Sequence, residues 1–228
     1  MEIQQRLLEI STLASKMLRK NFGRGPENCQ AYWRPPFMVI TIRGFLTPME
    51  AILLENGNRD AIEFSRRIVM NNILNQLKGA LEAEFDQDVQ AFYHDWNYER
   101  NTGMLMAIFD ENVTVGSDGG EMFPERLPLE QEVARISLLV QKTPEITEAY
   151  RITPKIYLVK RTGILVPIEK ALIAKGYEQT LLVTKDELEK SYFNREGRFN
   201  EIFQQKVADI FVDWNLNDDN SMLGFVLA

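Results

Sequence analysis

Residues 95–110 read DWNYERNTGMLMAIFD, and residues 213–228 read DWNLNDDNSMLGFVLA. A repeated phrase restricts the fold more than composition can, because two stretches with the same polar turn and the same apolar positions require the same structure twice. Offsetting the chain against itself by 118 residues also brings Pro26-Glu27 onto Pro144-Glu145 and Ala31-Tyr32 onto Ala149-Tyr150. One inserted residue later, Gly44, Leu46, Pro48, Glu50 and Gly57 fall on Gly163, Leu165, Pro167, Glu169 and Gly176. Matches in fixed order mark an internal duplication. The glycines, prolines and charges of VGSDGGEMFPERLP, residues 115–128, read as the linker, giving one repeat over 1–114 and a second over 122–228.

Each repeat opens with an amphipathic helix, carried by Ile3, Leu7, Ile10, Ala14 and Met17 in the first and by Leu129, Val133, Ile136 and Val140 in the second. Gly23 suits the left-handed residue that closes the first helix. A short extended piece at Ala31–Arg34 and the β-branched run FMVITIRGFL follow as strands, with KIYLVKRTGIL as the counterpart of the second. In LTPMEAILLENG, Thr47 is a helix cap, Pro48 fits the first helical position, Glu50 returns the capping bond and Gly57 ends a short helix. In the second repeat Val166 replaces the threonine, so the side-chain cap is lost. A long helix over Asp60–Phe85 comes next, and its counterpart is expected to start at the box Thr184-Lys-Asp-Glu187. The repeated phrase is then a terminal hairpin: DVQAFYHDW, a polar turn, and GMLMAIFD. The fold class is α+β, two tandem repeats of helix, strand, strand, short helix, long helix, strand, strand with a mostly antiparallel sheet. A half-length unit buries a small fraction of its surface, so the repeats are expected to be arranged as a pseudo-dimer.

Composition removes several function classes. A net charge of −7 gives no broad attraction to phosphate backbones, so nucleic acid is not expected as a partner. The N-terminal MEIQQRLLEISTLASKMLRK interrupts its apolar positions with charges, so neither a signal peptide nor a membrane span is expected, and the location is read as cytoplasmic. With one cysteine, Cys29, and one histidine, His94, a zinc site of the usual kind is excluded, and no metal or other cofactor is expected. The loop Asp213-Trp-Asn215-Leu-Asn217-Asp218-Asp219 resembles the start of a calcium loop. It has Asp218 where the sharp turn needs glycine and Gly224 where a bidentate glutamate should stand.

In GRGPENCQAYWRPPFMVITIRGFLTPMEA, the segments Gly23-Arg24-Gly25-Pro26 and Leu46-Thr47-Pro48-Met49-Glu50 follow one another in the order and spacing of the MpsC-like family. The first repeat therefore resembles this small bacterial domain, which is associated with a membrane-potential-generating system that moves sodium or takes up inorganic carbon. The second repeat keeps only Pro144-Glu145 and Leu165-Val166-Pro167-Ile168-Glu169 of the pattern. The resemblance implies an accessory protein near a membrane transport system and supplies no catalytic residue.

No constellation of residues reads as an active site. The sequence reading is a non-enzymatic accessory or regulatory protein that binds a protein partner, such as a membrane bicarbonate or sodium transport complex, with homo-oligomers left open. The alternative is a small-anion sensor that holds bicarbonate or phosphate with Arg24 and Arg43; an enzyme ranks third. Gly23, Gly25, Pro26, Thr47, Pro48 and Glu50 are expected to shape the motif, and Trp96 and Trp214, present in both repeats, to anchor a core or an interface.

Overall fold

The computed structural model describes residues 3–110 and 123–228. Seven elements come from the first repeat: α1 (Ile3–Phe22), β1 (Asn28–Arg34), β2 (Phe37–Arg43), α2 (Pro48–Glu55), α3 (Arg59–Phe85), β3 (Val89–Asn97) and β4 (Thr102–Phe109). The second gives α4 (Arg126–Val140), β5 (Ile146–Thr153), β6 (Ile156–Thr162), α5 (Pro167–Ala174), α6 (Glu178–Glu196), α7 (Phe199–Phe203), β7 (Val207–Asn215) and β8 (Asn220–Leu227). Two four-stranded sheets result, ordered β1-β2-β4-β3 and β5-β6-β8-β7. The same order in both is what the internal duplication requires. By contacts the chain divides into two compact units, Met1–Phe92 with Trp96–Gly116, and Ser117–Ala228 with Tyr93–Asp95.

In the first unit, alternation along the strands sends Met38, Ile40 and Ile42 of β2 and Leu105, Ala107 and Phe109 of β4 toward the helices. There they meet Ile10, Ala14 and Leu18 of α1 and Ile62, Met70, Ile73, Leu77 and Leu81 of α3. Each Leu, Ile, Met or Phe among them contributes about 1.5–3 kcal/mol when fully removed from water. On the opposite face of the sheet, Phe37 stands across from Ile108 and Val39 across from Met106, and these four are buried too.

The β1 edge is blunted from within. Its outward Ala31 N–H donates to Ser11 Oγ on α1 at 2.9 Å, and in the second unit the equivalent Ala149 N–H donates to Glu130 Oε1 on α4 at 2.9 Å. Both repeats thus use a side chain of their opening helix to occupy the edge strand's unpaired donor.

In the core of the second unit a chain of ring contacts runs from Tyr157 through Phe203, Phe225 and Phe199 to Phe193. The long helix is broken there into α6 and α7. At Gly197 a Cβ would stand 2.5 Å from the Phe193 carbonyl oxygen, so glycine permits the close approach that folds α7 back. Glu132 of α4 secures the break by accepting the Arg198 N–H at 2.8 Å.

Three expectations need correction. The edge strand begins at Asn28 rather than Ala31, because Asn28, Cys29 and Gln30 continue the register against Arg43, Ile42 and Thr41. Helix α6 begins at Glu178, six residues before Thr184 (184 − 178); Thr184 lies inside it, with its Oγ donating to the Thr180 carbonyl at 2.8 Å. A Thr-x-x-Glu spacing thus occurs within a helix, where the hydroxyl returns to the preceding turn instead of capping. Of the expected linker, residues 115–122 lie outside the described residues, whereas Phe123 is in the core and Arg126–Pro128 form the first turn of α4.

Candidate functional site

The motif of the first unit folds around the end of the sheet where β1 begins and β2 ends. Gly23, at φ +74°, closes α1 with its N–H on the Arg19 carbonyl at 3.0 Å. Gly25 lies against the Arg19 side chain, where a Cβ would come within 2.7 Å of Nε. Pro26 is buried and leads into Glu27, whose N–H donates to the Arg43 carbonyl at 2.9 Å. The Glu27 carboxylate lies over Gly44, which has φ +66°. Glu145 lies over Gly163, at φ +67°, in the same way, which accounts for the Pro-Glu pair and the glycine in both repeats.

Arg24 forms an exposed pair with Glu27, at 3.6 Å from its Nη2 to Oε1. Such a pair contributes little. Arg43 is exposed at the end of β2. The structure thus places both arginines of the anion-sensing alternative beside Glu27, Arg24 through its side chain and Arg43 through its backbone carbonyl.

Behind this turn, Asn101 adopts a left-handed conformation (φ 52°) and its carboxamide oxygen accepts the Phe45 and Leu46 N–H groups, each at 2.7 Å. Asp219 does the same in the second unit, with φ 52° and Oδ1 accepting from Ile164 and Leu165 at 2.8 and 2.7 Å. These two residues tie the hairpin turn to the segment that enters the short helix. Lys170 adds an ion pair to Asp219 at 2.8 Å. Burial would raise the Asp219 carboxyl, but Lys170 and the backbone donors outweigh it and hold it below its ordinary value. Asp218 accepts from the Asn215 amide at 2.7 Å. Asp218 and Asp219 of the calcium-like loop are therefore aimed at groups of their own unit.

The short helix starts as its sequence dictates. Thr47 Oγ1 accepts the Glu50 N–H at 3.3 Å, and Glu50 Oε2 accepts the Thr47 N–H at 2.8 Å, with Pro48 in the first turn. Glu50 does more than cap. Its carboxylate takes two bonds from the buried Arg66 of α3, Nε to Oε1 at 2.6 Å and Nη2 to Oε2 at 2.8 Å. The guanidinium also donates to the Phe45 carbonyl at 3.2 Å and lies near the rings of Trp96 (4.4 Å), Phe45 (4.9 Å), Tyr98 (5.3 Å) and Phe22 (5.8 Å). Burial would raise the Glu50 carboxyl, but the Arg66 hydrogen bonds and charge, with the Thr47 donor, hold it below the ordinary value. Trp96 can lie this close because Gly103 faces it: a Cβ there would stand 2.2 Å from the indole.

The second unit keeps the tether and rebuilds its surroundings. The Val166 N–H still donates to Glu169 at 2.9 Å, and Lys185, the counterpart of Arg66, reaches Glu169 at 3.1 Å and Glu189 at 2.9 Å. Gln141 bonds both Glu169 and Lys185. A second buried cation, Arg161, pairs with Glu189 at 2.7 Å and donates to Ser221 Oγ at 2.8 Å and Ser137 Oγ at 2.9 Å. The Trp214 indole N–H donates to Glu189 at 3.1 Å. Burial would raise Glu189 strongly, yet Arg161 and Lys185 keep its carboxyl below the ordinary value. Trp96 and Trp214 are both core residues, 5% and 8% exposed.

Burial pushes the Cys29 thiol up to about 12, so it is protonated at neutral pH. The residues that sequence reasoning missed are Arg66, Asn101, Arg161, Lys185 and Glu189, and Asp219 was read there only as part of a calcium-like loop. The repeat offset was the available signal: Ile42 aligns with Arg161 and Met70 with Glu189, two apolar positions that become opposite charges together.

Neither the curated proteins nor the solved structures provide a match to this chain. A family model does match part of it: residues 3–111 are similar to the MpsC family, described as Na+-translocating membrane potential-generating system (MpsC).

Proposed function

We propose that this protein is a non-enzymatic accessory or regulatory subunit of a membrane system that moves sodium or bicarbonate, and that it works by surface recognition. The observation that carries this reading is the family match of the first unit. No helix among the described residues is long and apolar enough to cross a membrane, so in this reading the translocating step belongs to a partner protein. The fate of the motif residues supports recognition over chemistry. Gly23, Gly25 and Pro26 shape a turn, while Thr47, Pro48 and Glu50 start and tether a helix. Their charges are paired within the unit: Glu50 meets Arg66 in the core, and Arg24 meets Glu27 at the surface.

The test is recovery of the tagged full chain from its native cell, with mass-spectrometric identification of what accompanies it. Membrane components of a sodium or bicarbonate transport system should be enriched over an unrelated tagged protein. Their absence, with the bait well expressed, contradicts the proposal.

A further inference from the structure

In the first unit the end of α1 and the sheet end beside it carry a run of exposed cations. Lys16, Arg19 and Lys20 are exposed and fall within about 100° of the helix circumference, with Lys16 roughly 160° from the buried Ala14 and Leu18. Contacts continue the surface past the helix. The Arg19 side chain lies against Gly25, Arg24 pairs with Glu27 at 3.6 Å, and Glu27 lies over Gly44 and donates its N–H to the carbonyl of the exposed Arg43. These basic residues therefore share one surface, on which Glu27 is the acid. The adjoining hairpin turn adds Glu99 and Arg100, which cancel, and Glu9 of α1 is roughly 10 Å up the axis from Lys16.

The second unit shows that the fold does not need these charges. Ala134, Ser137 and Leu138 stand at the positions of Lys16, Arg19 and Lys20, Thr162 stands at that of Arg43, and Lys142 alone repeats a cation, for Arg24. Its hairpin turn carries Asp218 and Asp219. Basic residues in a last turn favour a helix end through its dipole, and α1 has Arg19 and Lys20 there. Helix α4 has none, yet it ends at Val140, the equivalent of Phe22. The chemistry of the surface also limits its partner. Among the described residues no exposed large apolar side chain lies between Leu8 and Met49. Protein interfaces are anchored by buried aromatic and apolar side chains, which this surface lacks. An anionic bilayer attracts through charge alone, with a gain of roughly fivefold in affinity for each Lys or Arg brought near it.

We propose that the first unit docks on an anionic phospholipid surface, with Lys16, Arg19, Lys20, Arg24 and Arg43 pairing with the phosphates of several headgroups. This deepens the accessory reading and rests on it, because the contact holds the chain at the surface where a membrane partner lies. The overall charge of −7 does not prevent it, since charges more than about 8–10 Å from the contact are screened at physiological salt.

The test is sedimentation of the full chain with vesicles of phosphatidylcholine alone and of phosphatidylcholine mixed with phosphatidylglycerol, over a series of salt concentrations. Binding should be confined to the mixed vesicles and weaken as salt rises. K16Q/K20Q and, separately, R24Q/R43Q should each lower the partition constant by at least about tenfold. K175Q/K206Q, which removes the same charge from exposed sites of the second unit, should leave it unchanged. All six positions are at the surface, and circular dichroism checks that the variants remain folded. No binding to the mixed vesicles, equal binding to both kinds, no loss in either first-unit variant, or an equal loss in K175Q/K206Q overturns the proposal. So does release by inorganic phosphate beyond that caused by sodium chloride of the same ionic strength, because the surface would then take a free anion. In the native-cell recovery, transport components lost with K16Q/K20Q while mixed vesicles fail to bind would make the partner an acidic protein and overturn the lipid surface. Vesicle binding as expected, with no transport components recovered by the parent, would leave this surface standing and sink the accessory role.

Discussion

The tether beneath the short helix is built twice in this chain, with different surroundings. In the first unit a single pair, Glu50 and Arg66, lies among Phe22, Phe45, Trp96 and Tyr98, and the neighbouring Ile42 and Met70 are apolar. In the second, Glu169 and Lys185 keep the tether, while Arg161 and Glu189 stand where Ile42 and Met70 would be. Ser221, at the position of Gly103, accepts from the new arginine. The shared pair fixes the short helix, so it recurs. The second pair replaces an apolar contact, and an ion pair in a dry core is interchangeable with a well-packed apolar one only when both charges arrive together and their remaining donors and acceptors are satisfied. Ser137, Ser221 and the Trp214 indole meet that condition.

The largest expected effect comes from breaking the second pair on one side. Arg161→Met leaves Glu189 buried with Lys185 alone and should destabilise the full chain by about 3–5 kcal/mol in urea unfolding. A loss under about 1 kcal/mol would show that the pair is not energetically closed as described.

Acid sharpens the comparison next. Glu50 and Glu189 both have carboxyls held below their ordinary value of 4.5 in the folded protein. The unfolded chain therefore takes up protons at higher pH than the folded one, so the stability these groups contribute is present above the ordinary carboxyl value and is lost as pH falls through the lower folded-state values. Between pH 7 and about pH 3 the Glu189→Met variant should lose less of its own pH 7 stability than the parent does. An equal change in the two proteins contradicts the assignment.

A smaller effect separates the two helix starts. Thr47→Val copies Val166 and removes one capping bond while leaving the Glu50 bond to the backbone, so it should cost about 1 kcal/mol. No change in unfolding midpoint would mean that the Glu50 bonds alone define the start. Smallest of all, Arg24→Ala removes an exposed pair and should change stability by less than about 0.5 kcal/mol. Stabilisation of the parent by bicarbonate or phosphate that disappears in this variant would instead favour the anion-sensing alternative.

What could be read from the sequence follows from how local each feature is. Thr47, Pro48 and Glu50 were legible because a capping box closes within three residues, and Gly23 because a helix stop is a one-residue event. The hairpins were legible from alternation and a polar turn. The partner of Glu50 was not, since Arg66 lies 16 residues away and one carboxylate can meet any nearby cation. Asn101 and Asp219 looked like loop residues, because their role depends on left-handed backbone and on donors more than 50 residues away in the chain. Thr184 misled because its spacing copies a cap while its hydroxyl bonds back within the helix. The correlated change of Ile42 and Met70 into Arg161 and Glu189 was visible in the repeat offset, but it acquires meaning only once strand and helix are known to face each other.

The central claim is that the two units carry alternative solutions to one packing problem, so the first unit's residues should work in the second. The direct measurement is urea unfolding of the full chain carrying R161I/E189M/S221G, which places the residues of Ile42, Met70 and Gly103 at their equivalent positions, beside R161I and E189M alone. The account predicts that the triple variant loses less than half of what the worse single variant loses, because no unpaired charge remains in the core. A triple variant that loses as much as the two single changes added together would contradict it.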